Sequence, residues 1–127
     1  MNKTVLDASA VLALLQNEAN GAVIASMLDE GMISSVNFAE VVGRLQDLGM
    51  PDDAIRETLS FLPLHVIPFT EEQAYAAGLL NSATKPLGLS LGDRCCLALA
   101  KLEGLQAVTA DRAWRELSIG VSIQTIR

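Results

Sequence analysis

Short β-rich runs alternate with amphipathic helical segments along nearly all of this 127-residue chain, and this alternation constrains the fold more than any other feature. The predicted strands are residues 3–6, 32–34, 64–67, 106–109 and 121–126. The predicted helices are residues 20–30, a segment that ends at Gly49, and residues 52–62, 70–82, 91–102 and 111–117. Strands that alternate with helices form a mostly parallel sheet with helices on both faces. We therefore predict an α/β fold with a mostly parallel central sheet of about four to five short strands.

Several residues predict where these helices begin or end. Gly31 is the expected C-cap of the helix over residues 20–30. Thr70 and Gln73 have the spacing of a capping box, and so do Ser90 and Asp93. The helix that follows Ser90 is apolar almost all round, so we expect it to lie at the centre of the fold and to be buried.

The composition indicates one folded domain over residues 1–127. Hydrophobic residues make up 50% of the chain, and the mean hydropathy of +0.35 excludes intrinsic disorder. The chain has no apolar run near the roughly 20 residues of a membrane-spanning helix. Its first six residues lack the charged-then-apolar pattern of a signal peptide. Cys95 and Cys96 make no disulfide framework, so we expect a cytoplasmic protein.

The charge is strongly acidic. Nine basic and 15 acidic side chains give a formal net charge of −6, and the isoelectric point is about 4.6. This balance argues against binding nucleic acid non-specifically through overall charge. The excess acids either keep the protein soluble or are concentrated to hold cations.

Four acids stand at the ends of predicted elements. Asp7 ends the first strand, and Asp111 follows the strand over residues 106–109. Since ligands collect at the carboxyl ends of parallel strands, these two side chains could share one edge of the sheet. Asp93 lies in the first turn of the buried helix, and Glu40 lies one turn inside its own helix. Asn37 and Arg44, three residues before and four after Glu40, share its side of that helix.

Carboxylates that converge without cations repel each other, and a divalent metal relieves that repulsion. Oxygen ligands alone suit Mg²⁺ or Mn²⁺ better than zinc. Such ions activate water and stabilise the charge that develops when a phosphodiester is displaced.

Each acid also has a structural explanation. Asp7 and Asp111 are good N-caps for the segments that follow them. Asp93 is at the N3 position of a Ser-x-x-Asp capping box, and Glu40 can form an ion pair with Arg44 on the helix surface. These alternatives stay open because spacing alone does not prove that the four acids converge.

Four sequence blocks resemble the motifs of PIN-domain ribonucleases, in the order that this family has them. The blocks are VLDASA at residues 5–10, SSVNFAEV at 34–41, LSLGD at 89–93 with LALA at 97–100, and VTADRAW at 108–114. Within the family the chain is most similar to VapC-type toxins of type II toxin–antitoxin pairs, which are single PIN domains. The resemblance spans nearly the whole chain and implies a three-layer α/β/α fold.

The resemblance further implies a Mg²⁺- or Mn²⁺-dependent endoribonuclease. Asp7, Glu40, Asp93 and Asp111 match the family's four acids, which hold the metal and the attacking water. Of these, Asp7 and Asp93 match the acids that contact metal most directly, and Asp111 matches one that often acts through water. Ser9 and Thr109 match hydroxyl positions that support the site, and Asn37 is a further candidate for support.

The resemblance also implies partners. VapC-type toxins usually form homodimers, and a small VapB-type antitoxin silences them by placing its C-terminal tail in the active-site groove. Their known targets are structured RNAs.

The acidic chain departs from the basic rim that many such nucleases have, which leaves Arg94, Arg112 and Arg44 as the main candidates for contact with RNA phosphates. Alternatively, these arginines only balance neighbouring acids.

Two functions other than RNA cleavage are also compatible with an α/β domain that has an acidic pocket. One is a PIN-like domain that binds without catalysis. The other is a receiver-like phosphoacceptor domain, which needs paired acids after its first strand and a lysine at the end of its last strand. In this chain Ala8 follows Asp7, and residues 121–126 contain no lysine.

Cys95, Cys96 and Trp114 are interpreted as packing residues rather than as a redox, metal or base-stacking site.

Overall fold

Five parallel strands form a single sheet in the order β3-β2-β1-β4-β5 in the computed structural model, which describes residues 4–16 and 25–126. The strands are β1 (Thr4–Leu6), β2 (Gly31–Ser34), β3 (His65–Ile67), β4 (Gln106–Thr109) and β5 (Ile123–Thr125). Every pair of neighbouring strands is parallel. The predicted α/β fold with a parallel sheet is confirmed.

Helices connect the strands. They are α1 (Ala8–Leu15), α2 (Ser35–Asp47), α3 (Asp52–Ser60), α4 (Glu71–Leu79), α5 (Asn81–Thr84) and α6 (Leu91–Glu103). Shorter 3₁₀ turns cover Leu28–Glu30, Lys85–Leu87 and Arg112–Glu116. Among the described residues, no helix is long and apolar enough to span a membrane.

Some predicted boundaries differ from the structure. The helix predicted over residues 70–82 is divided at Leu80 into α4 and α5. The helix predicted over 111–117 is a 3₁₀ turn, in which each backbone N–H donates to the carbonyl three residues earlier. Of the helix predicted over 20–30, residues 20–24 lie outside the described residues, 25–27 are helical and 28–30 form a 3₁₀ turn. Gly31 is the C-cap of that turn, as predicted: its backbone N–H donates to the carbonyl of Leu28, and its extended backbone begins β2.

The two capping boxes have different outcomes. At α6 the box is complete, because Ser90 and Asp93 each bond the other's backbone N–H. At α4 the Thr70 hydroxyl accepts from the backbone N–H of Gln73, but the Gln73 side chain donates to the carbonyl of Pro68. Only half of that predicted box is therefore present.

The sheet separates two apolar cores. Alternating strand residues point to opposite faces, so Leu6, Ile33 and Val108 pack on the side of α1, α2 and α3. Val5 and Ala107 pack on the other side against α6 and Trp114. The layers are thus α/β/α, as the resemblance implied.

Helix α6 is the most buried helix of the described chain. Its residues 95–100 are all buried, with exposed fractions of 0 or 1%. Burial raises the pKa of both the Cys95 and the Cys96 thiols, so these side chains are neutral packing groups. Trp114 is also fully buried, as expected for a core residue.

The strand order reverses direction beside β1. The chain passes from β1 to β2 and β3 on one side, whereas β4 and β5 lie on the other. In open α/β sheets, ligands bind beyond the carboxyl ends of the strands at such a reversal. Asp7 directly follows β1 at this point, and its backbone N–H donates to the carbonyl of Val108 over 3.0 Å.

Candidate active site

Asp7 lies at the centre of the site and is almost completely buried, with 5% of its surface exposed. It is the N-cap of α1, where its Oδ1 accepts from the backbone N–H of Ser9. Its other oxygen, Oδ2, accepts a 2.7 Å hydrogen bond from the hydroxyl of Thr109. The capping explanation for Asp7 is therefore correct, but it engages only one of the two carboxylate oxygens.

The hydroxyls of Ser9 and Thr109 link the ends of β1 and β4. Thr109 is fully buried, and its Oγ1 accepts from the backbone N–H of Asp111 over 3.1 Å while donating to Asp7. The Ser9 Oγ lies 3.3 Å from the Thr109 Oγ1 and accepts from the backbone N–H of Ala110 over 2.9 Å. This network fixes the start of α1 against the residues that follow β4.

Burial raises the pKa of Asp7 to about 6, from an ordinary value of 3.8. The hydrogen bonds from Thr109 and Ser9 act in the opposite direction, since they stabilise the charged carboxylate. The negative charge of Asp93 adds a small further increase. The site thus holds a buried carboxyl group whose ionised form is disfavoured as it stands.

Glu40 lies on α2, and its carboxylate rests against the start of α6. The side-chain amide of Asn37 donates to Glu40 Oε1 over 2.7 Å and to the carbonyl of Gly92 over 2.9 Å. Asn37 itself is buried. Among the described contacts of Glu40 there is a hydrogen bond to Asn37 and no ion pair with Arg44, so the surface ion pair considered above is not formed.

Asp93 and Asp111 both bond nearby backbone through one oxygen. Asp93 Oδ2 accepts from the backbone N–H of Ser90 over 2.9 Å. Asp111 caps the 3₁₀ turn, with its Oδ1 accepting from the backbone N–H of Ala113 over 2.9 Å. Their structural roles are real, and each leaves a second carboxylate oxygen that these caps do not use.

The four acids line one cleft of about 370 Å³ at the carboxyl edge of the sheet. Its lining consists of Asp7, Ala8, Ser9, Leu12, Gln16, Glu40, Arg44, Asp93 and Asp111. The acids come from four separate segments, namely the starts of α1, α6 and the last 3₁₀ turn and one face of α2. The predicted set thus meets in space around a single concave surface.

The sequence profile of the PIN domain family matches residues 4–120. The chain belongs to the PIN domain family. This assignment makes the receiver-like alternative wrong. A comparison with curated proteins finds no match.

Solved structures with the same PIN fold include parts of toxin–antitoxin complexes. A toxin–antitoxin complex from Klebsiella pneumoniae contains a chain that superposes with a TM-score of 0.78 at 19% identity, with 98% of each chain covered. A DNA-bound VapBC complex from Salmonella typhimurium contains a chain with a TM-score of 0.79 at 18% identity, with 100% of both chains covered. VapC20 from Mycobacterium tuberculosis, described as a toxin that cleaves the sarcin–ricin loop, has a TM-score of 0.71 at 18% identity, with 94% of this chain and 99% of that chain covered.

The candidate arginines of this PIN domain lie in different places. Arg44 is exposed and lines the acidic cleft. Arg94 is partly buried, and its Nη1 donates to the carbonyl of Ala77 over 3.3 Å, which ties α6 to α4. Arg112 is exposed on the last 3₁₀ turn and is not among the residues that line the cleft.

Gly92 is the residue of this site that the spacing of the acids did not predict. In the sequence Gly92 is only one residue of the block before Asp93, whereas in the structure its carbonyl accepts from Asn37, 55 positions earlier in the chain. The glycine itself is the available signal, because a glycine within a helix lowers helix stability relative to alanine and therefore suggests a packing reason.

The four acids of this PIN domain are candidate ligands for a divalent metal. Their donor set fits Mg²⁺ or Mn²⁺, since every candidate ligand is a carboxylate oxygen. Over residues 4–16 and 25–126, however, no three or more His, Cys, Asp or Glu side chains already lie close enough together to hold an ion. Any coordination here would use few direct carboxylate ligands, or would require the side chains to move.

Proposed function

We propose that this PIN domain is a metal-dependent endoribonuclease and the toxin of a VapBC-type toxin–antitoxin pair. The observation that carries the proposal is the cleft in which Asp7, Glu40, Asp93 and Asp111 come together from four segments of the chain. The fold of VapC20, whose description names RNA cleavage, supports the same activity. The toxin–antitoxin complexes among the similar structures support a VapB-type partner.

Asp7 and Asp93 are the residues proposed to hold the metal most directly, with Glu40 and Asp111 nearer the edge of the cleft. Mg²⁺ in proteins is commonly bound through one or two carboxylates and keeps several waters, so a ready-made cluster of three acids is not required. The chemistry that a divalent cation supplies at such a site is activation of water and stabilisation of the charge that develops on the phosphodiester. A cation also favours the ionised form of Asp7, which burial disfavours.

The residues around the acids have positioning roles in this proposal. Thr109 and Ser9 hold the Asp7 carboxylate by hydrogen bonds, directly and through the turn that follows β4. Asn37 holds Glu40 against α6. Arg44 is the one cationic side chain among the described residues that line the cleft, so it is the best-placed contact for an RNA phosphate.

RNA cleavage is tested by incubating purified protein with a total RNA pool and mapping the new 5′ ends. We expect discrete new ends with Mg²⁺ or Mn²⁺ and none in excess EDTA. Asp7→Asn is the matched inactive variant, because asparagine is as good an N-cap as aspartate and preserves α1. New ends that persist in Asp7→Asn or in EDTA would contradict the proposal.

The alternative of a binding module makes a different prediction in the same experiment. A PIN-like domain that only binds would retain RNA on a filter without producing new ends under any metal condition.

The antitoxin is tested separately by co-expressing a small DNA-binding protein encoded next to this chain. Such a protein should co-purify with the PIN domain and suppress cleavage. The homodimer implied by the resemblance stays a prediction, checked by the molar mass in solution.

A further inference from the structure

Gly92 leaves space that the Glu40 carboxylate occupies. A Cβ atom built on Gly92 would lie 2.5 Å from Glu40 Oε2, 2.6 Å from Oε1 and 2.7 Å from Cδ. Real Cβ atoms do not approach other heavy atoms so closely, so the whole carboxyl group overlaps the position of any side chain at residue 92.

The backbone does not explain this glycine. The described glycines with positive φ are Gly49, Gly88, Gly104 and Gly120, and Gly92 is not among them. Gly92 is the second residue of α6, where alanine would be the better helix former. Gly43 and Gly78 also lie within helices, but a Cβ on either would meet nothing within 4 Å. The distinguishing property of Gly92 is therefore its contact with Glu40.

Asn37 keeps Glu40 in this position. Its amide nitrogen has two hydrogens, and they go to Glu40 Oε1 and to the carbonyl of Gly92. The opposite orientation of the amide would place Asn37 Oδ1 against two acceptors, so the chemistry fixes the orientation seen. Asn37 is fully buried, which makes this bridge between α2 and α6 a stable reference for the Glu40 carboxylate.

We propose that Gly92 is a positioning residue for Glu40, because its bare Cα admits the Glu40 carboxylate onto the first turn of α6 beside Asp93. A side chain at residue 92 would displace that carboxylate from the acidic cleft. The overlapped atoms are the end of the long, exposed Glu40 side chain, so the chain would relieve the overlap by moving that carboxylate rather than by unfolding α6. For its effect on cleavage, this inference rests on the proposed ribonuclease function.

The test is Gly92→Ala compared with Glu40→Ala and with the matched control Gly43→Ala. We expect Gly92→Ala to reproduce Glu40→Ala, with a loss of about tenfold or more in cleavage rate or in Mn²⁺ affinity. Adding Gly92→Ala to Glu40→Ala should cause no further loss, since the group that it displaces is already gone. Gly43→Ala should cleave RNA like the wild type, and the thermal unfolding of Gly92→Ala should be close to that of Glu40→Ala, because both variants leave the Asn37 amide without its Glu40 partner.

A crystal structure of Gly92→Ala provides a readout that does not depend on activity. We expect the hydrogen bond between Asn37 and Glu40 to be broken and the carboxylate to have left residue 92. A carboxylate still in place, or a further loss when Gly92→Ala is added to Glu40→Ala, would overturn the inference. If the wild type cleaves no RNA, the proposed function fails, while the structure and the Mn²⁺ titration still decide the role of Gly92.

Discussion

The hydroxyl of Thr109 donates a 2.7 Å hydrogen bond to Oδ2 of Asp7, and both residues are buried. This bond joins the residue after β1 to the last residue of β4. The two residues are 102 positions apart in sequence, and their strands are neighbours in the sheet. It also partly offsets the effect of burial on the pKa of Asp7. The central carboxylate of the cleft is thus held by the sheet itself and not by a mobile loop.

Thr109→Val should therefore destabilise the protein and perturb the cleft. Valine has nearly the same shape, but it leaves Asp7 Oδ2 and the backbone N–H of Asp111 without their partner. The loss of a buried hydrogen-bond partner costs about 1–3 kcal/mol, which denaturant unfolding would measure. Thr109→Ser, which keeps the hydroxyl, is the control and should lose much less. Equal losses in the two variants would show that packing of the methyl group, and not the hydroxyl, is what matters.

Asp7→Asn should change how stability depends on pH. The pKa of Asp7 is raised in the folded protein, from 3.8 to about 6, so the folded state binds more protons between these values. The stability that Asp7 contributes is therefore fully present below pH 3.8 and is lost as the pH rises through about 6. Without metal at pH 7, Asp7→Asn should be more stable than the wild type by up to about 3 kcal/mol.

The measurement is the difference in unfolding free energy between Asp7→Asn and the wild type, at pH 4 and at pH 7. We expect the difference to grow with pH, because only the wild type must bury a charge at the higher pH. On the proposed function, saturating Mg²⁺ should stabilise the wild type and not Asp7→Asn. A difference that is the same at both pH values would contradict the raised pKa.

Much of the fold could be predicted from local pattern, because the strands are bounded by strong signals. The predicted bounds of β4 are correct. Gly104, with a φ of 66°, ends α6 just before this strand, and Asp111 begins the turn after it. The division between α4 and α5 has no such signal, as residues 79–82 contain neither glycine nor proline. There the Thr84 hydroxyl donates to the carbonyl of Leu80 over 2.8 Å, a contact that only the folded chain reveals.

The meeting of Asp7, Asp93 and Asp111 in one cleft could be predicted because each stands at the end of an element, where topology determines its location. Glu40 lies one turn inside α2, where topology alone does not determine its location. The orientation of the residues around these acids could not be predicted in the same way. Arg94 was a candidate for RNA contact because it is next to Asp93, but neighbouring helical residues point in different directions, and Arg94 bonds α4. The bridge from Asn37 to Gly92 joins residues 55 positions apart, which no local spacing encodes.

Asp93→Asn should separate the capping role of Asp93 from its proposed catalytic role. The asparagine oxygen can still accept from the backbone N–H of Ser90, so α6 should begin as before and stability should change by about 1 kcal/mol or less. Cleavage should nevertheless fall by about 100-fold or more, because the charge that would hold the metal is gone. The control is Asp53→Asn, the same change in the first turn of α3, where the acid does not line the cleft. Cleavage that falls equally in both variants would contradict a specific role for Asp93.

Arg44→Ala and Arg94→Ala should have opposite kinds of effect. Arg44 is exposed and lines the cleft, so its removal should raise KM for RNA and reduce the slope of log affinity against log salt by about 1, with little change in Tm. Arg94 is partly buried and bonds the carbonyl of Ala77, so its removal should lower Tm. Arg56→Ala, an exposed arginine on α3 outside this cleft, is the matched control for Arg44. The assignment of RNA contact to Arg44 would be wrong if Arg56→Ala weakened RNA binding as much as Arg44→Ala, because the effect would then follow from net charge and not from position in the cleft.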